Sequence, residues 1–272
     1  MKLLLHACCG PCSLEPTRLL KAAGHDITIY YANSNIHPAE EYEHRLATLR
    51  AWAADAGFEV LEGPYGPATW EACAGRIGDA AIAEVERARA ETGAESECAD
   101  EGTAPRAAVL SVDPARREAR CRACYRLRLE ETARVAAEQG FEGIGTTLSV
   151  SPYQYTQVIR EEVERAAAQT GVVPVFEDFR PYYDEATRES RELGMYRQNF
   201  CGCRISDLEA AAERAERKEQ RAAAKAAERA AHADARAAEE AARAAHKAER
   251  AAYDKKQARK RAILKALREQ EK

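Results

Sequence analysis

The sequence predicts an α/β protein built on a parallel, doubly wound sheet with a long helical C-terminal extension. Three observations carry that reading. Short runs rich in Leu, Ile, Val and Tyr alternate with amphipathic stretches, most of them closed by a glycine. Three cysteines, Cys8, Cys9 and Cys12, sit where the first such run gives way to the first amphipathic stretch. In an open α/β sheet, strand-to-helix turns lie at the carboxyl ends of the strands, where ligands bind. Beyond about residue 206 the alternation stops and an Ala- and charge-rich sequence takes over.

In order, Leu3–Ala7 reads as a buried strand and Leu14 to Ala23 as a helix stopped by Gly24. Asp26–Ala32 (DITIYYA) is a second strand, rich in β-branched and aromatic residues. A polar loop, Asn33 to Pro38, leads into a helix reaching about Ala56, with Tyr42, Leu46 and Leu49 at helical spacing and Gly57 as its stop. Phe58–Leu61 is a third strand, which completes β-α-β-α-β. A short helix is expected near Ala68–Ala74, then an insertion at about 79–111, helical at first and then loop. Arg116–Glu138 is a helix carrying Cys121 and Cys124 on one face. Phe141–Leu148 is the fourth strand, with Ser149 or Ser151 a natural N-cap of a helix running to about Thr170. Val172–Phe176 is the fifth strand and Asp184–Leu193 a further helix. The predicted division is a domain over 1–206 and a helical or partly disordered tail over 207–272. No Leu/Ile heptad runs through the tail, which argues against a strict coiled coil.

Composition narrows the function classes. No apolar run approaches the ~20 residues that span a bilayer, and the apolar start is too short for a signal peptide. These features predict a cytoplasmic protein with no membrane partner. Nine cysteines then point to metal or redox chemistry rather than a disulfide framework. The net charge of −4 conceals an asymmetry: residues 211–272 carry 18 Lys+Arg against 11 Asp+Glu, so the body is acidic and the tail basic. Such a tail suits a polyanionic partner or serves as a solubilising appendage.

Seven cysteines form three close groups: Cys8/Cys9/Cys12, Cys121/Cys124 and Cys201/Cys203. Structural zinc fits poorly. Adjacent Cys8–Cys9 and the one-residue gap in Cys201-Gly202-Cys203 are not knuckle spacings, and seven thiols exceed one tetrahedral site. Cys9-Gly10-Pro11-Cys12 is the CGPC of a dithiol oxidoreductase, in the right place before a helix. Against it stand Cys8 and the two further pairs. An iron–sulfur cluster needs four thiolates from separate segments, and Cys8, Cys9, Cys121 and Cys124 can supply them. Cys73 and Cys98 have no close partner and read as inert thiols.

The stretches HACCGPCS, NSNIHPxxEYxxR, CRACYRLRLEETA, TTLSVSPYQ and YRQNFCGCRIS together resemble QueH, the cobalamin-independent epoxyqueuosine reductases. The match covers about Lys2–Ser206, interrupted near 79–111, and leaves the tail outside. The resemblance implies a Rossmann-like fold of the nucleotide α-hydrolase type. It implies reduction of epoxyqueuosine to queuosine at the wobble position of tRNAs with GUN anticodons, with an electron donor still to be identified. It implies a [4Fe-4S] cluster on Cys8, Cys9, Cys121 and Cys124, no cobalamin, and a second mononuclear metal, iron, or redox thiols nearby. Position 12 is Asp in some members, which suits a metal ligand. On this view Cys12, Cys201 and Cys203 are metal ligands or redox-active thiols, the last two falling on the family's CGC pair.

Proton donors are needed as well, and His6, His37 and Tyr153 are the candidates, with His37 favoured because it sits in a loop above the sheet. Asn33, Thr146, Thr147, Ser149 and Tyr153 stand at the same sheet edge as candidate substrate contacts. Tyr196 and Arg197, with Gln198 and Asn199, look like recognition residues, Tyr196 stacking on an unstacked base and Arg197 meeting phosphate. Arg122, Arg126 and Arg128 extend a basic surface or form a solvated helix face. Two other classes remain: a dithiol oxidoreductase using Cys9/Cys12, and a metal-containing RNA-binding module without turnover.

Overall fold

A computed structural model describes residues 1–92 and 113–270. Contacts divide the chain into two compact units, Met1–Glu213 and Arg214–Lys272. The first unit is a five-stranded, all-parallel sheet in the order β3-β2-β1-β4-β5, with helices on both faces, which is an α/β Rossmann-like architecture. The strands are β1 (Lys2–His6), β2 (Asp26–Tyr31), β3 (Glu59–Glu62), β4 (Gly143–Thr146) and β5 (Val173–Pro174).

The alternation within β1 explains the two layers. Leu3, Leu5 and Ala7 join Ile27, Ile29 and Tyr31 on one face, under α1 (Leu14–Ala22), α2 (Ala39–Ala56) and later Ala186. Leu4 joins Tyr30 and Ile144 on the other, under α5 (Pro114–Gln139) and α6 (Thr156–Thr170). Leu3, Leu4 and Leu5 are all fully buried, each worth roughly 1.5–3 kcal/mol of apolar burial. A strand covered on both faces reads as a continuous apolar run.

The chain leaves β1 toward β2 and β3 on one side and returns to β4 and β5 on the other. The reversal lies between β1 and β4, so the crevice for a ligand opens at the carboxyl ends of those two strands. Cys8 and Thr147 stand there.

Around the sheet run a short α3 (Pro67–Trp70), a π-turn over Glu71–Gly75, α4 (Arg76–Thr92), α7 (Tyr183–Glu192) and α8 (Arg204–Gln270). The first part of the expected insertion continues α4. The rest of it, with Cys98, lies outside the described residues. Gly78 admits Ile205 against α4, where an added Cβ would meet the Ile205 side chain. The compact unit continues past Ser206 because Glu209 is paired with buried Arg120 at 2.9 Å and Ala212 is buried.

Some expected elements differ. Strand β4 is shorter than Phe141–Leu148, because Phe141 N–H returns to Ala136 and Leu148–Val150 turns into a 3₁₀ helix. The following helix starts at Thr156, so neither Ser149 nor Ser151 caps it. Ser149 Oγ donates to Glu177 O at 2.7 Å, and Ser151 Oγ accepts from Tyr153 N–H at 3.3 Å. Strand β5 is a short edge strand, in which Val173 and Val175 N–H donate to Glu142 O and Ile144 O and Pro174 falls at the non-pairing position between them. In the second unit the chain is helical through 270. No helix of the described residues is long and apolar enough to cross a membrane.

Candidate metal centre

The β1–α1 turn brings three thiols together by local geometry. After Ala7 the chain passes Cys8 and Cys9, and a 3₁₀ turn (Pro11–Ser13) curls Cys12 back beside them. Ser13 Oγ closes the turn on Cys9 O at 2.8 Å. A Cβ at Gly10 would lie 2.6 Å from the Met195 methyl, so a larger residue there would have to displace that side chain. The Sγ atoms of Cys8, Cys9 and Cys12 all lie within 4.8 Å of one another, a group able to hold a metal ion.

Their protonation is unequal. Hydrogen bonds from Cys12 and Cys8 hold the Cys9 thiol well below its ordinary value despite burial, helped by Arg45 and by Gln198 Nε2 donating to Cys9 Sγ at 3.0 Å. Cys12, bonded to Cys8 and Cys9 and buried, is pushed well above. Cys8 gains from its bond with Cys12, but Cys9 and burial outweigh that and push it up to about 11. The trio therefore favours one thiolate and two thiols.

A second group is made by long-range packing. Cys121 and Cys124 on α5 meet Cys201 and Cys203 around a cavity of about 40 Å³, with Trp70, Tyr125 and Gln154 also in its wall. Burial pushes the Cys121 and Cys124 thiols up. It also pushes Cys203 up to about 12, with Cys201 adding to it. Gln154 Nε2 donates to Cys201 Sγ at 3.5 Å and accepts at Oε1 from the Tyr125 hydroxyl. Ser206 N–H donates to Cys203 Sγ at 3.3 Å.

The loop carrying Cys201 and Cys203 is anchored by α2. Arg45, 1% exposed, gives Nη1 to Cys201 O at 3.0 Å and Nε to Glu41 at 2.6 Å, and its guanidinium lies 5.0 Å from the Phe200 ring centroid. His37 N–H donates to Gly202 O at 2.9 Å. Gly202 has φ +128°, and a Cβ there would meet Ile36, Arg45 and Asn35 at 3.0–3.2 Å. Only glycine suits that position.

Two buried arginines tie the groups together. Arg45 acts electrostatically on both Cys9 and Cys201. Arg128 is 2% exposed and has no carboxylate partner among the described residues. Its Nη2 donates to Asn33 Oδ1, while Nε and Nη1 have no hydrogen-bond partner. Burial works against its charge, and the nearby Cys124, Cys8 and Cys201 offset that. A buried guanidinium facing thiols and lacking an acid fits a site that becomes anionic when the thiols bind metal as thiolates. The donor set, soft sulfur throughout, fits iron or another thiophilic metal.

Other sequence-predicted residues fall as follows. His6 is fully buried, 3.0 Å from Thr146 Oγ1 and 3.4 Å from Ala32 O. Burial, then the charge of Arg128, pushes its pKa down to about 3, so it stays a neutral part of the fold. His37 places Nδ1 2.9 Å from Asn35 O and Nε2 3.6 Å from Glu71. Asn33 is buried and gives Nδ2 to Ala7 O. Thr146 and Thr147 are buried against His6 and Cys8, and Ser149 is held by Glu177. Tyr153 is 76% exposed. Tyr196 donates to Glu41 and stacks on His44 at 3.8 Å, and Arg197 Nη1 donates to Thr187 O. Arg122 and Arg126 are paired with buried Glu162. Cys73 donates to Trp70 O at 3.4 Å. Arg45 and Gln154 stood in the motifs NSNIHPxxEYxxR and TTLSVSPYQ without an assigned role, and sequence reasoning missed Trp70.

Known proteins resemble this chain. The family described as Epoxyqueuosine reductase QueH matches residues 3–90 and 82–209. Relatives named Epoxyqueuosine reductase QueH include one from Dehalococcoides mccartyi, 29% identical over 208 residues, covering 76% of this chain and 93% of that protein. Another, from Thermotoga maritima, is 30% identical over 215 residues, covering 78% and 94%. A third, from Streptococcus pyogenes, is 30% identical over 212 residues, covering 74% and 68%.

Proposed function

The chain belongs to the epoxyqueuosine reductase QueH family, and from that premise we propose that it reduces epoxyqueuosine to queuosine at the wobble position of tRNA. The family assignment makes it an oxidoreductase. The reaction consumes two electrons and two protons, opens the epoxide to an alkene and releases its oxygen as water. The observation that supports the reading is a pair of thiol groups, three at the β1–α1 turn and four around the Trp70 cavity, with buried Arg45 and Arg128 acting on members of both and Arg128 lacking an acid among the described residues.

Cys8, Cys9, Cys121 and Cys124 would hold a [4Fe-4S] cluster, which supplies electrons one at a time. That Arg128 acts on both Cys8 and Cys124 supports treating the two groups as one centre. Cys12, Cys201 and Cys203 then remain as ligands of a second metal, iron, or as a thiol pair able to give two electrons and close to a disulfide. The Arg45 and Arg128 guanidiniums hold thiolate charge in a dry site. Trp70 and Tyr125 exclude water. His37, backed by Glu71, supplies a proton to the opened oxygen. Tyr153 is exposed and offers a stacking face to an unstacked base. The electron donor is a separate partner, the site of action is the cytoplasm, and no cobalamin takes part.

A specific observation favours a second reading. A low Cys9 and a high Cys12 are what a dithiol exchanger of the CGPC type uses. Protein purified without oxygen separates the two. About four iron and four sulfide per chain, with epoxyqueuosine-tRNA converted to queuosine-tRNA on adding reductant, supports the reductase. Colourless protein that reduces disulfides and tolerates Cys121→Ala replaces it with the dithiol reading.

A further inference from the structure

The second unit is a helix whose cations are sorted by face; its acids are not, Glu239 falling within the arc of the cations and others outside it. Lys218, Arg221, Lys225, Arg229, Arg236, Arg243, Lys247 and Arg250 recur at spacings of three, four and seven. At 100° per residue these eight cations fall within an arc of about 80°, over a rise of about 48 Å. All eight are exposed. The opposite face is alanine: Ala223, Ala227, Ala230, Ala241, Ala245 and Ala248.

The sorting needs a cause. Like charges one turn apart on a helix repel, so an isolated helix is better served by mixing signs at i, i+4. Here, among the described residues, the ion pairs of that spacing within 218–250 are Glu239 with Arg243 and Glu228 with His232. A linear polyanion laid along the stripe turns the repulsion into attraction and gains further from released counterions. The alanine face argues against a lipid surface, since an interfacial helix needs large apolar residues opposite its basic ones, and against a coiled-coil partner, since no heptad is present.

We propose that residues 218–250 are a binding site for the phosphate backbone of folded RNA, the cations contacting successive phosphates without reading bases. The proposal rests on the functional reading above only for the choice of tRNA as the RNA.

The test uses the full chain and an unmodified tRNA transcript, so it needs no turnover. One variant neutralises four cations: Arg221→Gln, Lys225→Gln, Arg229→Gln and Arg236→Gln. A second moves the same four charges to the alanine face: Arg221→Ala with Ala223→Arg, Lys225→Ala with Ala227→Lys, Arg229→Ala with Ala231→Arg, and Arg236→Ala with Ala238→Arg. The second keeps composition, net charge and helix propensity, and circular dichroism checks that both remain helical. A third variant exchanging Lys and Arg within the stripe should bind like the wild type.

Both charge variants should flatten the slope of log K against log salt by about 3–4 and weaken binding at least tenfold near 0.1 M salt. If the relocated variant binds like the wild type, total charge rather than the stripe is responsible and the proposal fails. It also fails if the neutralised variant keeps full affinity, or if the stripe drives binding to phosphatidylserine vesicles while tRNA affinity is unchanged. Loss of reductase activity with stripe-dependent tRNA binding intact would refute the functional reading and leave this one standing.

Discussion

The two thiol groups are made in opposite ways. Cys8, Cys9 and Cys12 lie within five residues, and one turn, closed by Ser13 on Cys9 O, brings them together. Cys121, Cys124, Cys201 and Cys203 come from a helix and a loop some eighty residues apart, joined by packing around Trp70. The local group holds one favoured thiolate among two thiols, because neighbours share protons. In the assembled group, Cys121, Cys124 and Cys203 are held protonated by burial. A turn can push neighbouring thiols in opposite directions, whereas burial in the packed cavity pushes these three the same way.

The strongest test of that contrast removes a member of the assembled group. Cys124→Ala should abolish turnover and strip iron, while the alkylation rate of Cys9 in metal-free protein stays within about threefold of wild type. Next in size is Gly202→Ala. Its Cβ would press on Ile36, Arg45 and Asn35 at an unfavourable φ, for a loss of about 1–3 kcal/mol. Thermal unfolding should show that loss, and iron content should fall even though every cysteine is present. Arg128→Met should cost a similar or smaller amount, about 1–3 kcal/mol, by leaving Asn33 Oδ1 unpaired in the core. Its signature should be a lowered midpoint potential of the reconstituted centre, because a nearby positive charge favours the electron-rich state.

Smaller effects concern single protons. Arg45→Met should raise the apparent pKa of Cys9, read from the pH dependence of its alkylation, and leave Cys121 unmoved. In the metal-free protein, raised thiols stabilise the fold fully below their unfolded value, near 8.5. That contribution is lost as pH rises through the folded values, about 11 for Cys8 and about 12 for Cys203. Cys9 runs the other way, contributing above its unfolded value and losing as pH falls through its depressed one. The melting temperature should therefore climb toward about pH 8.5 as Cys9 gains, and then decline as the five raised thiols lose their contribution.

Much of this was legible in the chain. The β1–α1 turn was readable because its information is local: an apolar run, a glycine-proline turn and three sulfurs. The parallel, doubly wound class followed from the same alternation, whereas the order β3-β2-β1-β4-β5 came only with the structure. Hydroxyl direction was not readable. Thr147 and Ser149 stand at the right edge, yet their oxygens serve Cys8 and Glu177. Arg128 looked like one more surface cation on a helix of arginines. Only the helix phase relative to the sheet turns it inward to Asn33 while Arg122 and Arg126 remain on the outer side with Glu162. The Glu209–Arg120 pair, which carries the compact unit past Ser206, joins residues 89 apart and leaves no local mark.

The anchoring of Gly202 and Cys201 on α2 also fixes an order of events. During synthesis the three-thiol turn is complete once residue 12 and its neighbours have emerged, whereas the four-thiol cavity lacks two sulfurs until residue 203 follows. The nascent chain therefore carries the three turn thiols through most of its translation before Gln198, which donates to Cys9 Sγ, is made. Arg45 and His37 wait on α2 and its preceding loop for a segment made more than 150 residues later. Completion of the centre is a late step that the roughly sixty residues of the second unit must still follow off the ribosome.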